Sequence, residues 1–134
     1  MKRNERQRAK DRAWEWFSKY IRHKFSKDGM CTCITCGVVR PIKEMQAGHG
    51  IGGRGMGILF DERIVRPQCP TCNLPPPRGK GGNYGVYVPW IIDTYGRDVY
   101  DMLLFSSKRS VKMTPADLRE LSNFYRKEFN RLAA

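Results

Sequence analysis

The sequence predicts an α+β fold, a small metal-stapled core flanked by longer helices, and three observations predict it. Four cysteines form two C-x-x-C pairs, Cys33/Cys36 and Cys69/Cys72, separated by the 32 residues Gly37 to Gln68. Apolar residues recur at helical spacing before the first pair and again after the second. Much of the chain's glycine and proline (13 and 8 residues in all) falls in between, where a large apolar core is not expected and a metal staple would compensate.

The first element is a helix over 3–25. Trp14, Phe17, Ile21 and Phe25 recur at intervals of three and four with Ala13 beside them, one apolar stripe. Trp14 and Phe17 read as core or dimer anchors. The opposite face carries Arg6, Lys10, Lys19, Arg22 and Lys24, a surface able to track a phosphate backbone. Lys27-Asp28-Gly29 is expected to end the helix. Cys33-Ile34-Thr35-Cys36-Gly37 reads as a zinc knuckle, a tight turn whose glycine lets backbone amides face the sulfurs.

A first short strand is expected over 41–49, ending at His49. Gly50 to Gly57 holds five glycines around Arg54, without the strand–helix frame of a cofactor loop, and suits a loop beside bound DNA. Ile58-Leu59-Phe60 and Ile64-Val65 suggest the second strand. Cys69 to Asn73 opens a short helix or second knuckle, and Pro75-Pro76-Pro77 stops it. Arg78 to Gly82, with Lys80, reads as a basic flexible loop.

The remainder is helical. Pro89 is expected at a first helical position, with Gly96 ending that piece. Val99, Met102, Leu103 and Phe105 mark a second piece. Thr114-Pro115-Ala116-Asp117 is a helix start in which Thr caps, Pro follows and Asp sits in the first turn. Leu118, Leu121, Tyr125 and Leu132 then form a stripe with Phe124 and Phe129 alongside. The chain therefore divides into a basic amphipathic helix (1–28), a zinc-bound core (29–87) and a helical region expected to dimerise (88–134). At 134 residues this makes one domain with a terminal extension.

Net charge is +12 and unevenly spread. Residues 1–27 carry 10 Lys/Arg against 3 Asp/Glu, 28–83 carry 7 against 4, and 84–134 carry 8 against 6. Such an excess points to nucleic acid, bound through phosphate neutralisation and counterion release. It argues against a third class, a zinc-stapled protein-interaction module. The first residues lack the apolar region of a signal peptide, and no segment approaches a membrane span. C-x-x-C pairs without a secretory signal read as metal ligands in a reducing cytoplasm rather than disulfides.

Each C-x-x-C brings two thiolates to one side of a turn, and two such turns complete the tetrahedron that Zn²⁺ favours. Cys33, Cys36, Cys69 and Cys72 are the expected ligands. Cys31 is the spare, since the spacing favours Cys33. His49 lies between the pairs. Lone histidines are usually structural, but at a strand end before a glycine-rich loop an imidazole is placed to take a proton from water in phosphodiester hydrolysis. Asn73 follows the last cysteine. Its amide oxygen is a hard ligand suited to Mg²⁺ or Mn²⁺, and its alternative role is to cap a short helix.

The stretches Cys33 to Gly37, Ala47-Gly48-His49, Leu59 to Arg63, Gln68 to Asn73 and Gly82-Asn83 resemble an HNH (ββα-metal) endonuclease. The resemblance is strongest to the phage NinG/Rap recombination endonucleases. It extends into the later helices and covers about 31–132, while T4 endonuclease VII-type resolvases share the four-Cys-plus-Asn arrangement. It implies cutting of Holliday junctions and D-loops, with His49 as general base, Asn73 as ligand of a catalytic Mg²⁺ or Mn²⁺, and zinc as a structural ion. Asn83 matches a later polar position. Arg54, Arg78, Lys80, Arg6 and Lys10 are the expected DNA contacts. The family's acidic metal ligand near the histidine is replaced by Gln46, Ala47 and Gly48, which leaves Asp61, Glu62 and Glu44 as candidates. The expected partners are branched DNA and a second copy of the chain, with no membrane, in the cytoplasm of a host cell if phage-encoded. The alternative is a non-catalytic zinc-containing recombination accessory protein.

Overall fold

The computed structural model describes residues 3–52 and 55–134, so Arg54 lies outside the described residues. Helix α1 (Glu5–Lys24) starts at a reciprocal cap, in which Asn4 accepts from the Gln7 amide and the Gln7 side chain accepts from the Asn4 amide. Phe17 and Ile21 of its stripe are fully buried. The helix ends at Lys24, not at Asp28-Gly29. Those two residues, at φ 54° and 78°, are instead the hairpin turn between β1 (Ser26–Lys27) and β2 (Met30–Thr32). Positive φ at both positions suits the twist of a two-residue antiparallel turn, which is why Asp-Gly serves there. β3 (Val39–Pro41) completes an antiparallel sheet in the order β1-β2-β3.

The stretch expected to be one strand over 41–49 is broken by a 3-10 turn, Ile42–Glu44, and resumes as β4 (Gln46–His49). Its partner is β5 (Val65–Gln68), antiparallel, with His49 opposite Val65 and Gln46 opposite Gln68. Ile58-Leu59-Phe60, expected as strand, is a turn closed by Leu59 N–H donating to Gly55 O. Close packing fixes Gly48, where a Cβ would lie 2.0 Å from Gln68 Oε1. Directly after β5 comes the short α2 (Pro70–Asn73), with Pro70 in its first turn.

Helix α3 (Tyr84–Tyr95) corrects the expected start at Pro89, which lies inside it. Tyr87 and Ile91, four residues apart on one face, are both fully buried, and that burial carries the helix through the proline. Gly96, at φ 95°, separates α3 from α4 (Arg97–Ser107). α5 (Pro115–Ala133) begins at the expected Thr114, which forms a reciprocal cap with Asp117.

α5 packs along α1. Leu118 joins Ala9 and Ala13, while Tyr125 meets Phe17 at 4.8 Å and Tyr20 at 5.3 Å between ring centres. Most of the two stripes is covered within a single chain, while Leu132 and the flanking Phe124 stay exposed. Arg6 Nε donates to Met113 O, and His23, edge-on to Phe129, tightens the same seam. One core runs through the chain, joining Phe17 and Ile21 to Ile64 and Val65, Tyr87 and Ile91, Leu103 and Tyr125. The observed class is α+β, helices around two small sheets. Among the described residues no helix is long and apolar enough to cross a membrane.

Candidate functional site

The four cysteines of the two pairs converge, with the sulfurs of Cys33, Cys36, Cys69 and Cys72 all within 4.8 Å of one another. A tetrahedron with Zn–S of about 2.3 Å has edges of roughly 3.8 Å, and Cys36 Sγ lies 3.7 Å from Cys69 Sγ. The first knuckle forms as its glycine requires. Gly37, at φ 79°, closes the turn by donating to Cys33 O, and Ile34 N–H donates to Pro67 O, fastening the knuckle to β5. Cys69 and Cys72 flank the first turn of α2. Cys69 N–H donates to Cys33 Sγ at 3.3 Å, and Asn83 Nδ2 donates to Cys72 Sγ at 3.7 Å. Asn83, expected as a polar position without a clear role, therefore supports a sulfur.

The charges of the cluster call for a cation. At Cys33 burial raises the thiol, but hydrogen bonds to the sulfur outweigh it and leave the group at about 6. At Cys69 burial and neighbouring thiols push the group up to about 12. One thiolate forms easily and the next resists, first because it is buried and then because of the sulfurs hydrogen-bonded around it. A metal ion at the centre removes that conflict. The donor set and its geometry fit zinc. Cys31 stands apart: it is buried, and its Sγ donates to Arg22 O at the end of α1.

Beside this cluster His49 and Asn73 open onto one cleft of about 270 Å³, walled by Leu74, Pro75, Gly81, Gly82 and Tyr84. β4 ends at His49 and α2 ends at Asn73, so strand pairing and the cysteine cluster bring the two together. His49 is only 4% exposed, and its Nε2 lies 3.0 Å from Leu59 O. A carbonyl only accepts, so Nε2 carries the proton, and in the neutral ring the basic lone pair belongs to Nδ1. Trp14 of α1 stacks on the imidazole, with centroids 5.0 Å apart and planes 18° from parallel. Sequence reasoning assigned Trp14 to a core or dimer. Its helical stripe gave no sign of its histidine partner.

Asn73 Nδ2 donates to Gln46 Oε1 at 2.7 Å. This orients the amide and leaves Oδ1 as its acceptor. Behind the cleft Gln68 is fully buried, with Nε2 donating to Thr35 Oγ1 and Gly82 O. Tyr87 places its hydroxyl against Gly48 O and Ile64 O, and burial pushes its phenol upward. Gln46 and Tyr87 lie outside the motif stretches, and Gln68 lies inside one without a legible role, because each acts through partners distant in the chain.

The three candidate carboxylates do not join the cleft. Asp61 caps the turn before β5 and pairs with Arg63. There burial raises its carboxyl, but the Arg63 hydrogen bonds outweigh it and hold the group below its usual range. Glu62 accepts from Lys24 at 2.8 Å, and Glu44 pairs with Arg40 at 3.6 Å. Among the described residues no carboxylate lines the cleft. Arg78 and Lys80 are exposed on the segment between two of its walls, Pro75 and Gly81. That segment, expected to be flexible, is tied back onto α2, where the amides of Lys80, Gly81 and Gly82 donate to Thr71 O, Leu74 O and Cys72 O. Lys10 is half-buried on α1, and Arg6 is engaged with Met113.

A family model described as Bacteriophage Lambda NinG protein matches residues 2–134. No curated protein and no solved structure matches the chain. The matched span takes in the cysteine cluster, both residues of the cleft and all five helices, so the chain belongs to the phage lambda NinG family, a recombination-related family.

Proposed function

We propose that this protein is a metal-dependent DNA endonuclease of the HNH (ββα-metal) type that cuts branched recombination intermediates such as Holliday junctions and D-loops. The observation that carries the reading is the shared cleft of His49 and Asn73, built on two antiparallel strands and a short helix beside a four-cysteine cluster. Zinc in that cluster is structural. It fixes α2 against β5 and so fixes Asn73 relative to His49.

In this mechanism His49 is the general base. Its Nε2 is engaged by Leu59 O, which sets the tautomer, so that the ring's other nitrogen is the one that would take a proton from the attacking water. Trp14 holds the ring in plane, and its π face favours the imidazolium that forms. Asn73 presents Oδ1 because Gln46 occupies its amino group. A bound Mg²⁺ or Mn²⁺ would supply Lewis-acid stabilisation of the phosphate and the leaving oxygen. Magnesium is ordinarily held by one or two carboxylates together with water and substrate phosphates. Among the described residues the cleft lining offers the Asn73 amide oxygen and no carboxylate, so water and phosphate would have to supply the remaining ligands. Arg78 and Lys80 stand beside the cleft as phosphate contacts. Two copies related by a two-fold axis would address opposed strands of a junction.

The test is incubation with a four-way junction, a D-loop and linear duplex, with and without Mg²⁺. Nicking of the branched substrates should require the metal. His49→Ala should abolish cleavage and leave binding intact; undiminished cleavage by that variant would remove the assignment. A monomeric mass at concentrations where the protein cuts would remove the dimer. The absence of a carboxylate from the cleft lining favours a second reading, a non-catalytic DNA-binding accessory protein, which predicts binding without cleavage in every arm.

A further inference from the structure

Tyr84 belongs to two cavities at once. One face borders the cleft of His49 and Asn73, and the ring also lines a neighbouring cavity of about 500 Å³. The cavity's walls include Ile51, Val88, Tyr100 and Leu104, with Lys108 among its lining. The tyrosine is exposed yet held. A Cβ on Gly82 would lie 2.7 Å from its ring, and one on Gly52 would lie 3.3 Å from its hydroxyl. The two glycines thus grip the ring from either side, and 40% of the residue remains open to solvent. Beneath, Gly50 packs against Tyr87 and Ile91, which gives the cavity a rigid floor.

Neither core packing nor the proposed mechanism accounts for a pinned, exposed aromatic ring over a partly apolar cavity. The chemistry it offers is a flat π surface backed by aliphatic walls, with a cation near the mouth. We infer that this cavity receives one unpaired nucleobase, stacked on Tyr84, from the strand whose phosphate enters the His49–Asn73 cleft; the inference rests on the reading of that cleft as a nucleic-acid site. Base and phosphate of neighbouring nucleotides are separated by a sugar, and the two cavities are separated by one side chain. Lys108 supplies charge for a flanking phosphate. Stacking of this kind is sequence-tolerant because every base has a π face, and it costs least where the base is already unpaired. A D-loop offers such bases in its displaced strand, and at the branch point of a four-way junction stacking is interrupted, so that a base is extruded at less cost than from continuous linear duplex. The cavity would therefore act as the selector for branched substrates.

The experiment uses the full-length His49→Ala protein, so that cleavage does not intervene, and four-way junctions with 2-aminopurine at successive positions around the branch. One position should change in fluorescence on binding. Tyr84→Ala should abolish the change, Tyr84→Phe should keep it, and Val88→Phe, which fills the cavity from its far wall, should also abolish it. Each variant's melting temperature and zinc content establish that it folds. In the otherwise wild-type protein, Val88→Phe should lower junction affinity about tenfold and spare duplex binding. A position-specific signal that survives both Tyr84→Ala and Val88→Phe would overturn the proposal, as would no signal at any position with junction binding intact. A signal lost in both variants, from a wild-type protein that cuts nothing, would uphold the base site and defeat the nuclease reading instead.

Discussion

Asn73 shows how little a residue's identity says until its neighbours are known. Alone, an asparagine after the last cysteine of a short helix is as much a cap as a ligand. Gln46, 27 residues away in the chain, accepts from Nδ2 and so orients the amide, leaving Oδ1 as its acceptor. Gln46→Leu should therefore loosen the amide without removing it. Partners that orient a ligand are worth about 10–100-fold in metal affinity or activity, so the divalent-ion concentration for half-maximal nicking should rise about tenfold. Asn73→Ala should cost more than Gln46→Leu; equal nicking curves for Gln46→Leu and wild type would show the bond to be incidental. His49 makes the same point. Its place at a strand end was legible from Ala47-Gly48-His49, whereas Trp14 above it and Leu59 O behind it were not.

Among the elements, both terminal helices were legible from their 3.6-residue stripes, and α5 also from its capping Thr114, whereas the Asn4 cap of α1 was not legible and that helix ends short of the expected Lys27-Asp28-Gly29. The short strands were legible only in part: β4 ends at His49 as expected, and Val65 of the expected second strand opens β5. β5 contains Arg66, Pro67 and Gln68, none of which announces a strand, and it forms because β4 lies opposite. The apolar Ile58-Leu59-Phe60 looked more like strand and became a turn. Asp28-Gly29, expected as a helix stop, turns a hairpin instead, and its strands of two and three residues leave no alternation to recognise. α5 depends on its cap and on its seam with α1, and each can be removed separately. Thr114→Ala should lower stability by about 1 kcal/mol. Tyr125→Ala, which empties a buried position against Phe17 and Tyr20, should cost about 3–5 kcal/mol. Urea unfolding midpoints measure both, and a larger loss from Thr114→Ala than from Tyr125→Ala would contradict the seam.

For the whole molecule the four-cysteine cluster, with the geometry to hold zinc, is the decisive component. Few apolar residues surround the cysteines, where Met45 is the buried companion and Val38 and Ile42 are partly buried. Zinc binding contributes on the order of 10–16 kcal/mol in small modules. A strong chelator should accordingly abolish the tertiary signal of 31–83 and any junction binding, while the α1–α5 seam keeps much of its helical circular dichroism. Re-addition of zinc should restore both, and unchanged near-ultraviolet circular dichroism in chelator would show the cluster to be dispensable. The charge of +12 acts at the same scale, so DNA affinity should fall steeply and linearly on a log–log salt plot. The sequence by itself determined the four-cysteine cluster, the basic charge, the helical stripes at both ends with the cap at Thr114, and the nearness of His49 to Asn73. These rest on spacing, composition and local propensity, which a linear chain displays. The tertiary structure alone decided that Trp14 covers His49, that Gln46 turns Asn73, that Asn83 supports a sulfur and that Tyr84 divides two cavities. Each is a contact between segments far apart in the chain, made only once the core has closed, and such contacts leave no periodic trace in the sequence.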